Sequence, residues 1–322
     1  MRACYYETIG AARDVLRIGD MPTPECGPGE VRVKLATSGV NPVDAKLRGG
    51  RKQPWPQIIP HSDGAGTIDQ VGDGVDKSRI GERVWIWNAQ WKRPFGTAAE
   101  YIALPSAQAV KLPDAVSFAE GACLGIPAMT AFHAVELAMK SGKTLLIAGG
   151  AGAVGHYAIQ FAKLAGATVF TTVSSTDKAA IAKEAGADHV IDYKTENVGE
   201  RVMAATDKRG VDAIVDLNIT ANAKLIPAVL RPHGQVIVYG IAGPEASIPA
   251  QFCLSNAIGI QFFLIFDITA EERTRAVDGI NAALRSGKLI NRVDPRTFGL
   301  ADTVAAHEAV EQGAGAKIVV TL

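Results

Sequence analysis

Along the first third of the chain, apolar residues tend to fall at every second position, in short runs broken by glycine and proline. Examples are EVRVKLATSG (30–39), GTIDQVGDGV (66–75) and ERVWIWNAQ (82–90). A period of two between turn signals predicts half-buried strands and a partly open β-barrel or sandwich. The pattern changes after Leu112-Pro113-Asp114. Ser117 reads as a helix start, and residues 127–142 as a helix ending at Gly142. From Lys143 onward, apolar strands (144–150, 167–173, 189–193, 211–217 and 234–240) alternate with helices beginning near Val154, Thr176, Asn197 and Asn222. Such alternation implies βαβ units and a parallel sheet covered on both faces.

The run FFLIF (262–266) reads as a buried strand, far below the length that spans a bilayer. An amphipathic helix (269–287), a short helix (302–311) and a last strand, KIVVTL, follow it. This tail is too short to fold alone and is expected to complete the N-terminal unit, with the α/β unit inserted. The expected boundaries are 1–122, 123–259 and 260–322.

Composition narrows the function. Lys+Arg and Asp+Glu each number 33 among 322 residues, so no basic excess exists to neutralise a nucleic acid or to hold a membrane surface. Cys4, Cys26, Cys123 and Cys253 are isolated, without a CxxC pair, which argues against a thiolate zinc cluster and for a reducing compartment. Charges and glycine at the start of the chain do not suit a signal peptide, so a cytoplasmic location is expected.

The strand at 144–150 runs into Gly150-Ala151-Gly152-Ala153-Val154-Gly155 and then a helix. That is GxGxxG in its strand–turn–helix setting. Gly150 is expected to permit the turn, Gly152 to let backbone approach a pyrophosphate, and Gly155 to let helix pack on strand. Amides at the helix start would carry the phosphates. About 20 residues on, where NAD sites present an acid, the chain reads Val173-Ser174-Ser175-Thr176-Asp177-Lys178. A hydroxyl at Ser174 with Lys178 nearby suits a 2′-phosphate, although Lys178 alone would read as a solvated helix residue. NADPH is the expected cofactor.

With these elements in place, SGVNPVDAKLRGG (38–50), PHSDGAGTIDQVGDGV (60–75), GERVW (81–85), GTAAEYIALP (96–105), LGIPAMTAF (124–132), AGGAGAVG (148–155) and KEAGADHVIDY (183–193) stand in order. Over essentially its full length the chain resembles the zeta-crystallin-like quinone oxidoreductases, a zinc-independent branch of the medium-chain dehydrogenase/reductases. The resemblance implies an α/β fold, a doubly wound Rossmann sheet inserted in a GroES-like β-barrel catalytic domain, with NADPH in the cleft between them. It places cofactor contacts on Asn41, Thr130, Gly152, Ala153, Val154, Ser174, Lys178, Tyr193, Tyr239, Gly240 and Ile241, and on the backbone of Phe262, Phe263 and Leu264. It also implies a homodimer paired through Rossmann edge strands.

Zinc-dependent relatives would need metal ligands where this chain has Asn41, Ser62 and Ile126, and His61 stands one residue off, at a neighbouring glycine's place. Zinc is therefore not expected. A zinc-free site suits quinones, or enones reduced at C=C, with hydride arriving from the cofactor. An idle, crystallin-like NADPH binder is the remaining alternative. Asn41 is the best candidate for orienting the nicotinamide ribose or the substrate. Asp44 reads either as a positioning residue or, preferably, as a helix cap. The family's tyrosines are replaced by Lys46 and Lys52. Trp85 reads as core, while Trp87, Asn88 and Trp91 are candidates for the substrate pocket. Lys317 reads as a solvated residue, and the histidines as structural, without spacing that suggests a relay.

Overall fold

The computed structural model describes residues 1–50 and 54–322; Lys52, one of the two lysines at the tyrosine places, lies outside them. The chain divides into two units, Met1–Ile126 with Ile280–Leu322, and Pro127–Gly279.

The first unit begins with an antiparallel pair, β1 (Arg2–Tyr5) and β2 (Arg17–Asp20). Its main sheet has seven strands: β3 (Glu30–Val40), β4 (Asp63–Val71), β5 (Arg83–Ile86), β6 (Tyr101–Pro105), β7 (Ala109–Lys111), and, after the second unit, β14 (Phe298–Gly299) and β15 (Ile318–Thr321). The order is β14-β15-β3-β4-β5-β7, with β6 also paired to β3. The alternation in β3 works as the sequence implies: Val31, Val33 and Leu35 are buried and pack with Ile68, Val84, Ile86, Ile102 and Leu104. The C-terminal strand β15 runs antiparallel to β3, Ile318 opposite Val40 and Thr321 opposite Thr37. That pairing fixes the tail in the first unit.

The second unit holds six parallel strands: β8 (Thr144–Ile147), β9 (Thr168–Val173), β10 (His189–Asp192), β11 (Val211–Asp216), β12 (Leu230–Val238) and β13 (Gly259–Phe262). Their order, β10-β9-β8-β11-β12-β13, reverses direction between β8 and β11, which is the switch point where doubly wound sheets bind ligands. Every residue of β11 is buried, as a sheet covered on both faces requires. Helices Ala153–Leu164, Thr176–Glu184 and Val198–Ala205 connect the strands.

Two details depart from the sequence reading. The unit boundaries fall at 126/127 and 279/280 rather than at 122/123 and 259/260, because β13 pairs with β12 (Gln235 opposite Gly259, Val238 opposite Phe262) and carries the sheet past residue 259. The run FFLIF is not a buried strand. Only Phe262 lies in β13, an edge strand, and Phe262 and Leu264 are 59% and 53% exposed; the chain then turns, burying Ile265 and Phe266. Among the described residues, no helix is long and apolar enough to cross a membrane.

The histidines are structural, as expected, but two of them meet across the chain in a way no spacing indicated. His61 and His307, both fully buried, meet Nε2 to Nε2 at 2.9 Å, and the Nδ1 of His61 bonds the Ser38 hydroxyl at 2.8 Å. His61 has φ 79°, a left-handed conformation that favours glycine. Two facing imidazoles share a hydrogen bond only while one nitrogen is bare, so the two rings cannot both be protonated. Burial depresses both, His307 from 6.5 to about 3.

A folded-state pKa below the unfolded one means that the unfolded chain takes up the proton first, so this stability is complete above pH 6.5 and is lost as pH falls toward about 3. The melting midpoint should therefore fall from pH 6.5 to pH 5, the two rings together outweighing Asp44, whose carboxyl, raised by burial to about 7, takes up its proton in the folded state and opposes the change. In His307→Leu the same slope should be shallower. Equal slopes in the two proteins would show that the pair does not carry the effect.

Candidate functional site

The carboxyl ends of β8, β9, β10 and β12 gather the residues of the dinucleotide signature. The left-handed turn falls one residue before the motif, at Gly149 (φ 70°), and not at Gly150 as expected from the spacing. Gly150 has a different reason to lack a side chain. A Cβ there would lie 2.1 Å from the Thr171 hydroxyl and 2.8 Å from Ile159. At Gly155 a Cβ would lie 2.3 Å from the Gly149 carbonyl, so the helix packs on the turn that follows β8, where packing on the strand itself was expected. Gly152 differs from both: its Cβ would meet only the Gly149 carbonyl, at 3.3 Å. That single backbone contact is close, but no other heavy atom beyond its chain neighbours and its own helix backbone comes within 4 Å of the position.

Gly152 is the N-cap of the helix Ala153–Leu164, and no side chain caps it. The His156 amide bonds back to the Gly152 carbonyl, which leaves the amides of Ala153, Val154 and Gly155 without intrahelical acceptors. Bare amides, the positive end of a helix and no acid in the first turn make a place for an anion.

At the end of β9, Lys178 Nζ donates to the Ser174 hydroxyl at 3.1 Å, so the two residues read from the sequence do meet. Asp177 is exposed in the first turn of the helix Thr176–Glu184, and Ser175 caps that helix. Tyr193 follows β10, its amide bonded to the Val173 carbonyl, and its ring is 54% exposed rather than packed on the core. Tyr239, Gly240 and Ile241 follow β12, with Ile241 exposed. Thr130, in the helix Met129–Ala138, is 4% exposed and its hydroxyl has no hydrogen-bond partner. A buried orphan hydroxyl is costly unless a ligand satisfies it. Phe263 packs edge-on against His133 with ring centroids 4.8 Å apart. Together the open space at Gly152, the bare amides and the orphan hydroxyl fit a phosphorylated dinucleotide.

In the first unit the residues after β3 form a buried charged cluster. The Asn41 amide donates to Asp44 Oδ2 at 2.7 Å, and the Asp44 amide donates to the Asn41 carbonyl at 3.0 Å. Asp44 thus caps its own short helix, Pro42–Gly50. Burial pushes its carboxyl up to about 7 against the pull of the Asn41 hydrogen bond and of Lys317, and its Oδ1 has no partner. The Asn41 side chain donates from Nδ2 to Asp63 Oδ2 at 2.9 Å. Lys317 Nζ donates to Asn41 Oδ1 and to Asp63 Oδ2, at 2.5 and 2.6 Å.

Lys317 is therefore not the solvated residue expected; it is 4% exposed. It precedes β15, whose pairing with β3 lays it over Gly39, where a Cβ would sit 2.7 Å from Lys317 Cε. No local pattern could have revealed this. The three places where zinc-dependent relatives hold ligands are drawn into other work. Asn41 faces the lysine, the Ile126 amide donates to Asp63 Oδ1 at 2.8 Å, and Ser62 is buried. His61 has both ring nitrogens engaged elsewhere.

Trp85 is core, fully buried with its indole nitrogen bonded to Asn281. Trp87 and Asn88 are also largely buried, at 9% and 5% exposure, and their carbonyls accept from Gln108. Trp91 is partly exposed, with the Lys92 ammonium 5.5 Å from its ring centroid. Lys46 is exposed on its helix.

Residues 27–114 match the alcohol dehydrogenase GroES-like domain, and residues 153–281 match the zinc-binding dehydrogenase domain. A quinone oxidoreductase of Pseudomonas aeruginosa is 32% identical over 73% of this chain and 72% of its own length. A 2-methylene-furan-3-one reductase of Solanum lycopersicum is 30% identical over 99% of this chain and 79% of its own. Among solved structures, an NAD-dependent alcohol dehydrogenase superposes with a TM-score of 0.90 at 27% identity, over the whole of both chains. A mycobacterial protein complexed with NADPH does so at 0.87, also 27% identical and covering both chains entirely.

The contrast between glycines can be measured. Gly150→Ala should destabilise the protein by about 1–3 kcal/mol through overpacking. Gly152→Ala should leave the melting midpoint nearly unchanged and yet weaken NADPH about tenfold or more in a fluorescence titration, because the methyl enters the space beside the bare amides. Loss of stability without loss of affinity in Gly152→Ala would contradict this assignment.

Proposed function

The chain belongs to the zinc-independent quinone oxidoreductases of the medium-chain dehydrogenase/reductase superfamily, and on that premise we propose that it is an NADPH:quinone oxidoreductase. One observation carries the cofactor: uncapped helix amides at the open Gly152 lie in the same Rossmann unit as a hydroxyl–ammonium pair, Ser174 and Lys178. The amides of Ala153 and Val154 hold the pyrophosphate. Ser174 and Lys178 hold the 2′-phosphate, a dianion that a carboxylate at the same place would repel. Tyr193 offers its exposed ring to the adenosine. Thr130, Tyr239, Gly240, Ile241 and the Phe262–Leu264 backbone contact the nicotinamide half.

NADPH, when bound, supplies a hydride. The chain itself provides hydrogen-bond donors for the oxygen of the acceptor, on which charge collects as a conjugated carbonyl is reduced. Asn41 is the donor for this purpose, fixed through its backbone by Asp44. Trp87, Asn88 and Trp91 supply the aromatic side of the acceptor pocket. Reduction of an enone at C=C is the second reading, favoured by the likeness to the tomato reductase. Both acceptor classes place charge on a conjugated oxygen.

The protein pairs as a homodimer through β13. That edge strand leaves one side of its backbone unpaired, and Phe262 within it, Leu264 just after it and Leu254 in the helix that precedes it are 59%, 53% and 79% exposed.

Lys178→Glu should raise the Kd for NADPH roughly a hundredfold, about 2.7 kcal/mol, while NADH changes little. Equal effects on the two nucleotides would remove Lys178 from the 2′-phosphate site. Steady-state turnover with NADPH should be faster on a panel of quinones than on enones. Activity confined to the enones would replace the quinone assignment with the second reading.

A further inference from the structure

We propose that Lys317 is a positioning residue for the reduction: its buried ammonium fixes the orientation of the Asn41 carboxamide and strengthens it as a donor. The proposal rests on Asn41 serving the acceptor oxygen. Shape alone does not distinguish the two ends of an amide, but its neighbours here do. An ammonium only donates, so the atom at 2.5 Å from Lys317 is the oxygen of Asn41; Asp63 as a carboxylate only accepts, so the atom at 2.9 Å from it is the nitrogen. Both ends are thereby assigned. The other N–H of the carboxamide is engaged by neither Lys317 nor Asp63; the Asp44 carboxyl is the group it meets until an acceptor oxygen takes its place.

The arrangement also affects how strongly that N–H donates. A cation on the oxygen of an amide draws electron density from its nitrogen and makes the remaining N–H a better donor to developing negative charge. Asp63 holds the cation in place. Its carboxylate receives the ammonium and the Asn41 side chain on Oδ2 and the Ile126 amide on Oδ1, and it is fully buried. Stability is a poor reason to keep such a group, since a buried ion pair often contributes less than well-packed apolar side chains of the same volume. The lysine stem crosses Gly39 with no room for a Cβ beneath it, so the ammonium is confined to this position.

The test compares wild type, Lys317→Met, Lys317→Arg and the double variant Asp63→Asn/Lys317→Met, in which neither buried charge is left without its partner. In Lys317→Met, kcat should fall at least about tenfold on whichever acceptor the wild type reduces, the loss of one polarised donor. NADPH affinity by fluorescence titration should stay within about twofold, since the phosphate-binding residues belong to the other unit. The double variant should regain thermal stability and not kcat, and Lys317→Arg should retain more activity than Lys317→Met.

A readout independent of turnover is the side-chain amide resonance pair of Asn41, identified by its loss in Asn41→Asp. It should shift upfield in the cofactor-free double variant. Recovery of kcat together with stability in the double variant would reduce Lys317 to a structural role and overturn the proposal. So would an unmoved Asn41 resonance. A wild type inert toward every quinone and enone would instead sink the functional reading on which the proposal stands.

Discussion

One carboxylate organises the first unit. Asp63 opens β4 at zero exposure, and it is satisfied only by groups that arrive from three other places: the Asn41 side chain after β3, the Ile126 amide, and the ammonium of Lys317 before β15. An ionised group in that position without partners would cost several kcal/mol. The chain must therefore bring all three segments together for β4 to begin where it does. The C-terminal tail, although separated from Asp63 by an entire inserted unit, is bound by this requirement as much as by its strand pairing with β3.

The second unit depends on a different constraint, the crowding of backbone at the ends of its strands. Gly150 and Gly155 have no space for a Cβ because Thr171, Ile159 and the Gly149 carbonyl already fill it. Their closeness draws the first turn of the following helix tight against β8. The amides of that turn are then held in place by packing, and Gly152 leaves their outer side open. A rigid backbone donor set loses little entropy when it receives an anion. Pocket and packing are two faces of the same glycines.

The sequence was most legible where chemistry is contiguous. The alternation of β3, the strands of the α/β unit, its helix starts near Val154, Thr176 and Asn197 and the GxGxxG segment are encoded within short windows, and the structure holds them there; near Asn222 it has short helical pieces, one ending at that residue. Ser174 and Lys178 lie one helical turn apart, so their contact could be read directly. Lys317 and His307 could not be found this way. Their partners, Asp63 and His61, are 254 and 246 residues away in sequence, and nothing local distinguishes a buried lysine before a strand from a solvated one. The strand β13 was misjudged for another reason. Five apolar residues in a row carry no period, and what decides their exposure is the position of the strand at the edge of its sheet.

The three consecutive residues His61, Ser62 and Asp63 show how local strain is compensated. His61 adopts a backbone conformation that costs a residue with a Cβ on the order of 1 kcal/mol or more. Nothing nearby in sequence repays that. Its ring is tied to Ser38 and His307, its carbonyl accepts from Thr97, the Ser62 carbonyl accepts from Ala89, and Asp63 receives the three donors already named. Partners on so many separate elements over-determine the segment, so it cannot relax by a small local movement. The geometry around Asn41 is consequently a property of the whole unit. A change at either His61 or His307 acts on that geometry only by loosening the β4 entrance, whereas a change at Lys317 acts on the carboxamide directly. That difference in route is why neighbouring buried polar groups in one sheet serve separate ends.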